Sequence, residues 1–166
     1  EERGDGGTGW SRSWKMALWA RLSDGDRSYR IFQGYLKDQN CAQLFAKCGS
    51  AMQVDGTLGA TAAIGEMLIQ SHDGFIQLLP ALPAAWPSGN MRGLCARGGF
   101  ELDFDWSNGK VDRVEFRSKA GEPCRIRIGG SARVTHLGKP VPVRELPDGA
   151  VEFSTVKGGE YRIEPR

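Results

Sequence analysis

The hydrophobic period of this 166-residue chain changes once, between residues 75 and 95, and that single change limits the fold more than any motif. Upstream the apolar residues recur at helical spacing. Trp14, Ala17, Leu18 and Leu22 form one such set, and Tyr29, Phe32 and Leu36 form a second after the Ser23-Asp24-Gly25-Asp26 turn, with Asp26 as its expected cap. Ala60, Ala63, Ile64, Met67 and Leu68 form a third, the i, i+3, i+4, i+7, i+8 series of a helix with one buried face, expected to stop near Ser71–Gly74. Three amphipathic helices are too few to close a helical barrel. Downstream of the Pro-rich stretch Pro80–Pro87 the period becomes two. Phe100, Leu102, Phe104 and Trp106 alternate with acidic residues, Ser107-Asn108-Gly109 reads as a turn, and Val114 and Phe116 continue on a return strand. Cys124, Ile126 and Ile128 alternate likewise, Val141-Pro142-Val143 reads as an edge, and Asp148-Gly149 turns the chain towards Val151, Phe153, Tyr161 and Ile163. The pattern predicts helices followed by a small antiparallel β-sandwich, an α+β arrangement.

Composition narrows the partners. With 22 basic and 20 acidic residues interspersed, there is no basic stripe for nucleic acid and no polybasic membrane patch. No segment reads as a signal peptide and none approaches a membrane span. Cys41, Cys48, Cys95 and Cys124 form no C-x-x-C pair, and with only His72 and His136 beside them no metal-ligand spacing arises, so no metal and no cofactor is expected. They are read as mostly buried free thiols. The spacing permits a Cys41–Cys48 bridge without requiring one. Gly6-Gly7-Thr8-Gly9 lacks the Lys-Ser/Thr of a phosphate loop.

The segment Gln53-Val54-Asp55-Gly56-Thr57-Leu58-Gly59, which runs into the third helix, puts a carboxylate just before a helix mouth. Free N–H groups and the helix dipole favour negative charge there. Asp-Gly ahead of a helix is also ordinary turn-and-cap chemistry, so position alone does not make Asp55 catalytic.

Residues 53–74, QVDGTLGATAAIGEMLIQSHDG, continue into Ile76–Pro83 and Trp86-Pro87, and several further motifs accompany them in order. Gly9–Trp14 and Leu18–Leu22 lie upstream, and Gly93–Phe100 lies downstream. Together they resemble the C-terminal part of glycoside hydrolase family 95, the α-L-fucosidases and relatives, over nearly the whole chain. The resemblance implies that residues 1–75 are the last helices of an (α/α)6-barrel catalytic domain, 76–95 a Pro-rich connection and 96–166 a C-terminal β-sandwich domain. It implies a C-terminal fragment whose first residues lie in mid-polypeptide. The compartment stays open, and a secreted or periplasmic parent fits.

The implied chemistry is inverting hydrolysis that releases a terminal α-L-fucose from an oligosaccharide. Inversion uses one acid on the leaving oxygen and one base that activates water on the opposite face. Asp55 corresponds to the water-activating aspartate; the glutamic acid, the assisting asparagines and an Arg-His pair would lie upstream of Glu1. The isolated chain is therefore expected to be inactive. Two departures bear on the sugar. Many relatives read Asp-Gly-Asn-Phe-Gly-Gly where this chain has Asp55-Gly56-Thr57-Leu58-Gly59-Ala60, and a His-Pro-Pro stretch is replaced by Cys48-Gly49-Ser50-Ala51-Met52. A galactose-like relative of fucose fits these changes.

Trp10 and Arg12 are candidate sugar contacts, through an aromatic face and a guanidinium, against the competing reading that the tryptophans pack between helices. Glu66 reads as solvated or structurally paired, and His72 as a turn residue. Two further readings stand beside the glycosidase. One is a non-catalytic carbohydrate-binding or structural β module using Trp106 or Tyr161; the other is a degenerate scaffold. A helical surface deprived of its barrel neighbours predicts instability or self-association of the isolated chain.

Overall fold

A computed structural model describes residues 4–38 and 45–166. Cys41 lies outside the described residues, and with it the Cys41–Cys48 pairing. The chain forms two compact units, Glu1–Leu68 with Pro80–Ala85, and Ile69–Leu79 with Trp86–Arg166.

The first unit contains α1 (Gly9–Arg21), α2 (Gly25–Asp38), a two-stranded ladder of β1 (Lys47–Cys48) and β2 (Ala51–Met52), and α3 (Val54–Leu68). α3 buries Ala60, Ala63, Met67 and Leu68, the face that its period predicts. α1 behaves differently. Its buried face is Gly9, Ser13, Met16 and Ala20, whereas Trp14, Leu18 and Leu22, the residues that defined its period, are exposed. Small residues at 9, 13 and 20 let the helix backbones approach closely, so the large apolar side chains are left on the other side. α2 buries Ser28, Ile31 and Tyr35. Its cap is Asp24 rather than Asp26: Asp24 Oδ1 accepts the Arg27 N–H at 2.9 Å, while Asp26 accepts the Ala84 N–H at 2.8 Å. The Pro-rich stretch therefore returns to the helices, with the Ala81 N–H also bonded to the Met67 carbonyl.

The second unit is two sheets. The larger has the order β10 (Lys139–Pro140), β9 (Ala132–His136), β13 (Gly159–Pro165), β7 (Lys110–Ser118), β6 (Phe100–Ser107) and β5 (Gly89–Ala96). The smaller runs β11 (Arg144–Glu145), β12 (Val151–Phe153), β8 (Cys124–Arg127), β4 (Ile76–Leu78) and β3 (Ile69–Gln70). Phe116 of the first sheet meets Phe153 of the second edge-on, with ring centroids 5.7 Å apart, and Tyr161 packs on both. Leu102, Phe104, Val114 and Ile163 from one sheet, and Ile126 and Val151 from the other, are fully buried. Each such side chain contributes roughly 1.5–3 kcal/mol of transfer free energy.

The β6–β7 hairpin turns on Asn108 and Gly109, at φ 51° and 72°. Two successive positive φ values define the tight hairpin turn that Asn-Gly favours. The structure departs from the sequence reading at further places. α3 ends at Leu68, and β3 follows at once. The segment read as a Pro-rich connection contains β4 and β5. β5 lacks a clean alternation because it is an edge strand with a register shift between Met91 and Leu94. Val141–Val143 is not a strand but the link from β10 to β11. Finally, the pair β4–β8 is parallel, so the sheets are mostly rather than wholly antiparallel.

Candidate active site

Asp55 lies within the first turn of α3 rather than just before it, because the helix already begins at Val54. Its Oδ1 accepts the Gly56 N–H at 2.9 Å. Oδ2 has no protein partner among the described residues, and the side chain stands at the surface. A carboxylate with one oxygen anchored and the other open can orient a water and take its proton.

Asp55, Leu58, Gly59 and Ala62 share one face of α3 by helical spacing. Leu58 projects from it with 66% of its surface exposed. Gly59 is where the Trp10 ring lies: a Cβ added there would come 3.2 Å from Trp10 Cζ3. The indole is thus beside the helix one turn along from Asp55, and 45% of its surface is open. Thr57, the altered neighbour of Asp55, does not join this face. Its hydroxyl accepts the Ala46 N–H at 2.9 Å and fixes the segment leading into the helix.

Arg12 is not brought to this face. Nε donates to the Gly7 carbonyl at 3.2 Å and Nη2 to Asp38 at 2.8 Å, and Nη1 lies against Gly34 of α2. With 12% of its side chain exposed, Arg12 ties α1 to α2. Glu66 pairs with Arg21 at 2.5 and 2.8 Å, the structural role expected of it. His72 sits in the β3–β4 turn with Nε2 3.3 Å from Asp73.

The β unit offers no aromatic platform at the two residues suggested by sequence. Trp106 is 6% exposed, its indole N–H donating to the Trp86 carbonyl, and Tyr161 is 4% exposed, its hydroxyl accepting the Val156 N–H. Both alternate inward on their strands, so the period that made them conspicuous also buries them. Gln53 and Ser13 were given no role in the sequence reading. They join α1 to α3 next to Asp55, a relation between residues 43 apart that no local pattern reveals.

Comparison with known proteins gives the family. Residues 1–68 match the glycosyl hydrolase family 95 catalytic domain, and residues 70–163 match the glycoside hydrolase family 95 C-terminal domain. The chain belongs to glycoside hydrolase family 95. The family 95 boundary, between 68 and 70, falls where α3 gives way to β3. Alpha-L-fucosidase 2 of Arabidopsis thaliana is 40% identical over 127 residues, which are 70% of this chain and 15% of that protein. Probable alpha-fucosidase A of Aspergillus oryzae is 33% identical over 138 residues, 72% of this chain and 18% of that protein. The Aspergillus niger protein of the same description is 32% identical over 152 residues, 77% of this chain and 18% of its own length. The family 95 chain therefore spans between 15% and 18% of the length of these curated relatives.

Proposed function

We propose that this chain is the C-terminal part of an inverting glycoside hydrolase that releases a terminal α-L-fucose, or a galactose-like sugar, from oligosaccharides, with Asp55 as the base. The observation that carries the reading is the Asp55 carboxylate, with Oδ1 held by the Gly56 N–H and Oδ2 open at the surface. In this reading Oδ2 takes a proton from water as the water oxygen bonds to the anomeric carbon. The glycosidic C–O bond breaks on the opposite face, and its oxygen is protonated by an acid outside this chain. The acid and base carboxyls would stand roughly 6.5–9.5 Å apart, leaving room for the water. The Trp10 ring beside Gly59 supplies a face for sugar C–H groups. The fucosidase names of the curated relatives support the sugar class.

The helical unit is proposed to be part of an (α/α)6 barrel. Trp10, Trp14, Leu18 and Leu22 form a second apolar stripe on α1, opposite its buried face, and Leu58 adds to the exposed apolar surface from α3. Further helices would cover such a surface.

In the full-length parent, Asp55→Asn is expected to lower kcat by about 100- to 10,000-fold with KM little changed. An unchanged kcat would end the assignment. The stereochemistry is read separately by proton NMR: the first sugar released should be the β-anomer, and initial α-anomer would exclude inversion. The 166 residues alone should release no sugar, because one carboxylate cannot perform both proton transfers.

A further inference from the structure

Gln53, two residues before Asp55, has a side chain that reaches across to another helix. Thr8, in the N-cap position of α1, makes no side-chain capping bond to the helix backbone; its hydroxyl donates instead to Ser11 Oγ at 3.3 Å. The Trp10 N–H, one of the unsatisfied donors of the first turn, is met instead by Gln53 Oε1 at 2.9 Å, from 43 residues away. The Gln53 backbone is fixed at both ends as well. Its N–H donates to the Ala46 carbonyl at 2.7 Å, and its carbonyl accepts the Thr57 N–H at 3.3 Å, opening α3. One residue therefore caps two helices, α1 by its side chain and α3 by its backbone.

The surrounding contacts leave this junction little freedom. A Cβ at Gly56 would lie 2.8 Å from the Gly9 carbonyl carbon and 2.9 Å from the Trp10 nitrogen, and a Cβ at Gly9 would lie 2.6 Å from Ala46 Cβ. The helix starts meet backbone to backbone. The buried Ser13 hydroxyl sits 2.9 Å from the Gly9 carbonyl oxygen and 2.6 Å from that of Gly56, bridging the same two turns. Asp55 is flanked by Gln53 two residues before it and Gly56 directly after it, both part of the junction. Trp10 is the residue whose N–H Gln53 holds.

We infer that Gln53 is a positioning residue that fixes Asp55 relative to Trp10 by capping α1 from the start of α3. The inference rests on the reading of Asp55 as the base. It places Gln53 in contact with neither sugar nor water. A small misplacement of a reacting group is costly, about 100-fold for 1 Å, so loss of the clamp should appear in turnover.

The test is a double-mutant cycle in the full-length parent, assayed on an aryl α-L-fucoside well below the melting temperature of every variant. Gln53→Met keeps the length of the side chain and removes the acceptor; Gln53→Asn keeps an amide but withdraws it. Gln53→Glu retains an acceptor at the same reach. Gln53→Met should lower kcat by about 10- to 100-fold, with Gln53→Asn giving the same reading should the Met variant fail to fold, and Gln53→Glu should restore most of it. In an Asp55→Asn background the same Gln53 changes should alter kcat by less than about threefold, because the group they position is already disabled. Equal losses in both backgrounds would overturn the inference while leaving Asp55 as the base. No loss from Gln53→Met beside a large loss from Asp55→Asn would do the same. An Asp55→Asn enzyme with full kcat would remove the base reading, and the positioning role with it.

Discussion

At the residue scale, the candidate site separates two side chains that the sequence could not tell apart. Trp10 and Arg12 stand two residues apart on α1, about 200° round the helix, and they serve different neighbours. Trp10→Ala in the full-length parent is expected to raise KM by about 3- to 10-fold, the loss of one aromatic face, with protein stability little changed. Arg12→Met should do the reverse, lowering the melting temperature of the helical unit while KM stays within about twofold, since its partners are Asp38 and Gly7. Fucoside kinetics and thermal melts on the two variants give both answers. The place of Asp55 at the start of a helix was legible because its motif is local. The partners of Arg12 were not, because a guanidinium on a helix carries no mark in the sequence of which neighbouring helix it will reach.

At the scale of elements, the glycines of α3 differ in what they do. Gly56 meets α1 backbone to backbone, so Gly56→Ala should force the helices apart and destabilise the helical unit by about 1–3 kcal/mol. Gly65 has nothing within 4 Å of a Cβ position, and Gly65→Ala is expected to stabilise the same helix by about 0.5–1 kcal/mol. Urea titrations of both variants decide this. The outer face of the β unit carries its own prediction. The hydrogen bond from Lys119, with Arg117 beside it, holds the Glu101 carboxyl below its usual 4.5. Partial burial works against Asp103, yet the Gly93 N–H and Arg117 bring it below its usual 3.8. Arg92 and Arg113 do the same for Asp105. Lowered carboxyls stabilise the folded state fully above their unfolded values and lose that contribution as pH falls through the lowered ones. The β unit should therefore keep its melting temperature down to about pH 5 and lose it progressively below 4.5 and 3.8. Arg117→Met should flatten that acid slope, and a slope unchanged by it would refute the pairing. The strands carrying these residues were readable from alternation, whereas β5 and β4 were not. One is an irregular edge and the other is three residues long, and neither leaves a period of two to detect.

At the scale of the whole molecule, the order of helices then sheets followed from the single change of period, whereas the family 95 boundary at 68–70 lies ahead of the 75–95 stretch in which that change reads, because β3 and β4 are too short to show a period. The direction in which α1 would face did not follow from it. Its stripe of Trp and Leu read as a core face, and the structure buries glycine, serine, methionine and alanine instead, because close helix packing selects small residues. The outward stripe makes a prediction for the 166-residue chain: sedimentation velocity should show self-association that increases with concentration. Replacing Trp14 and Leu18 by glutamate should reduce it. A variant that associates as strongly as the parent chain would place the contact elsewhere.

The central position of β13 has a consequence for biosynthesis. β13 pairs with β7 on one side and β9 on the other, yet it follows both in the sequence. Until Gly159–Pro165 have left the ribosome, the facing edges of β7 and β9 have no partner, and the larger sheet exists as two separate pieces. The β5–β6–β7 meander can zip as it emerges, through short loops. The parallel β4–β8 pair must wait for a strand 50 residues downstream, since Ile76 aligns with Ile126. Closure of the larger sheet thus waits for Gly159–Pro165, and the nascent chain carries open strand edges up to that point.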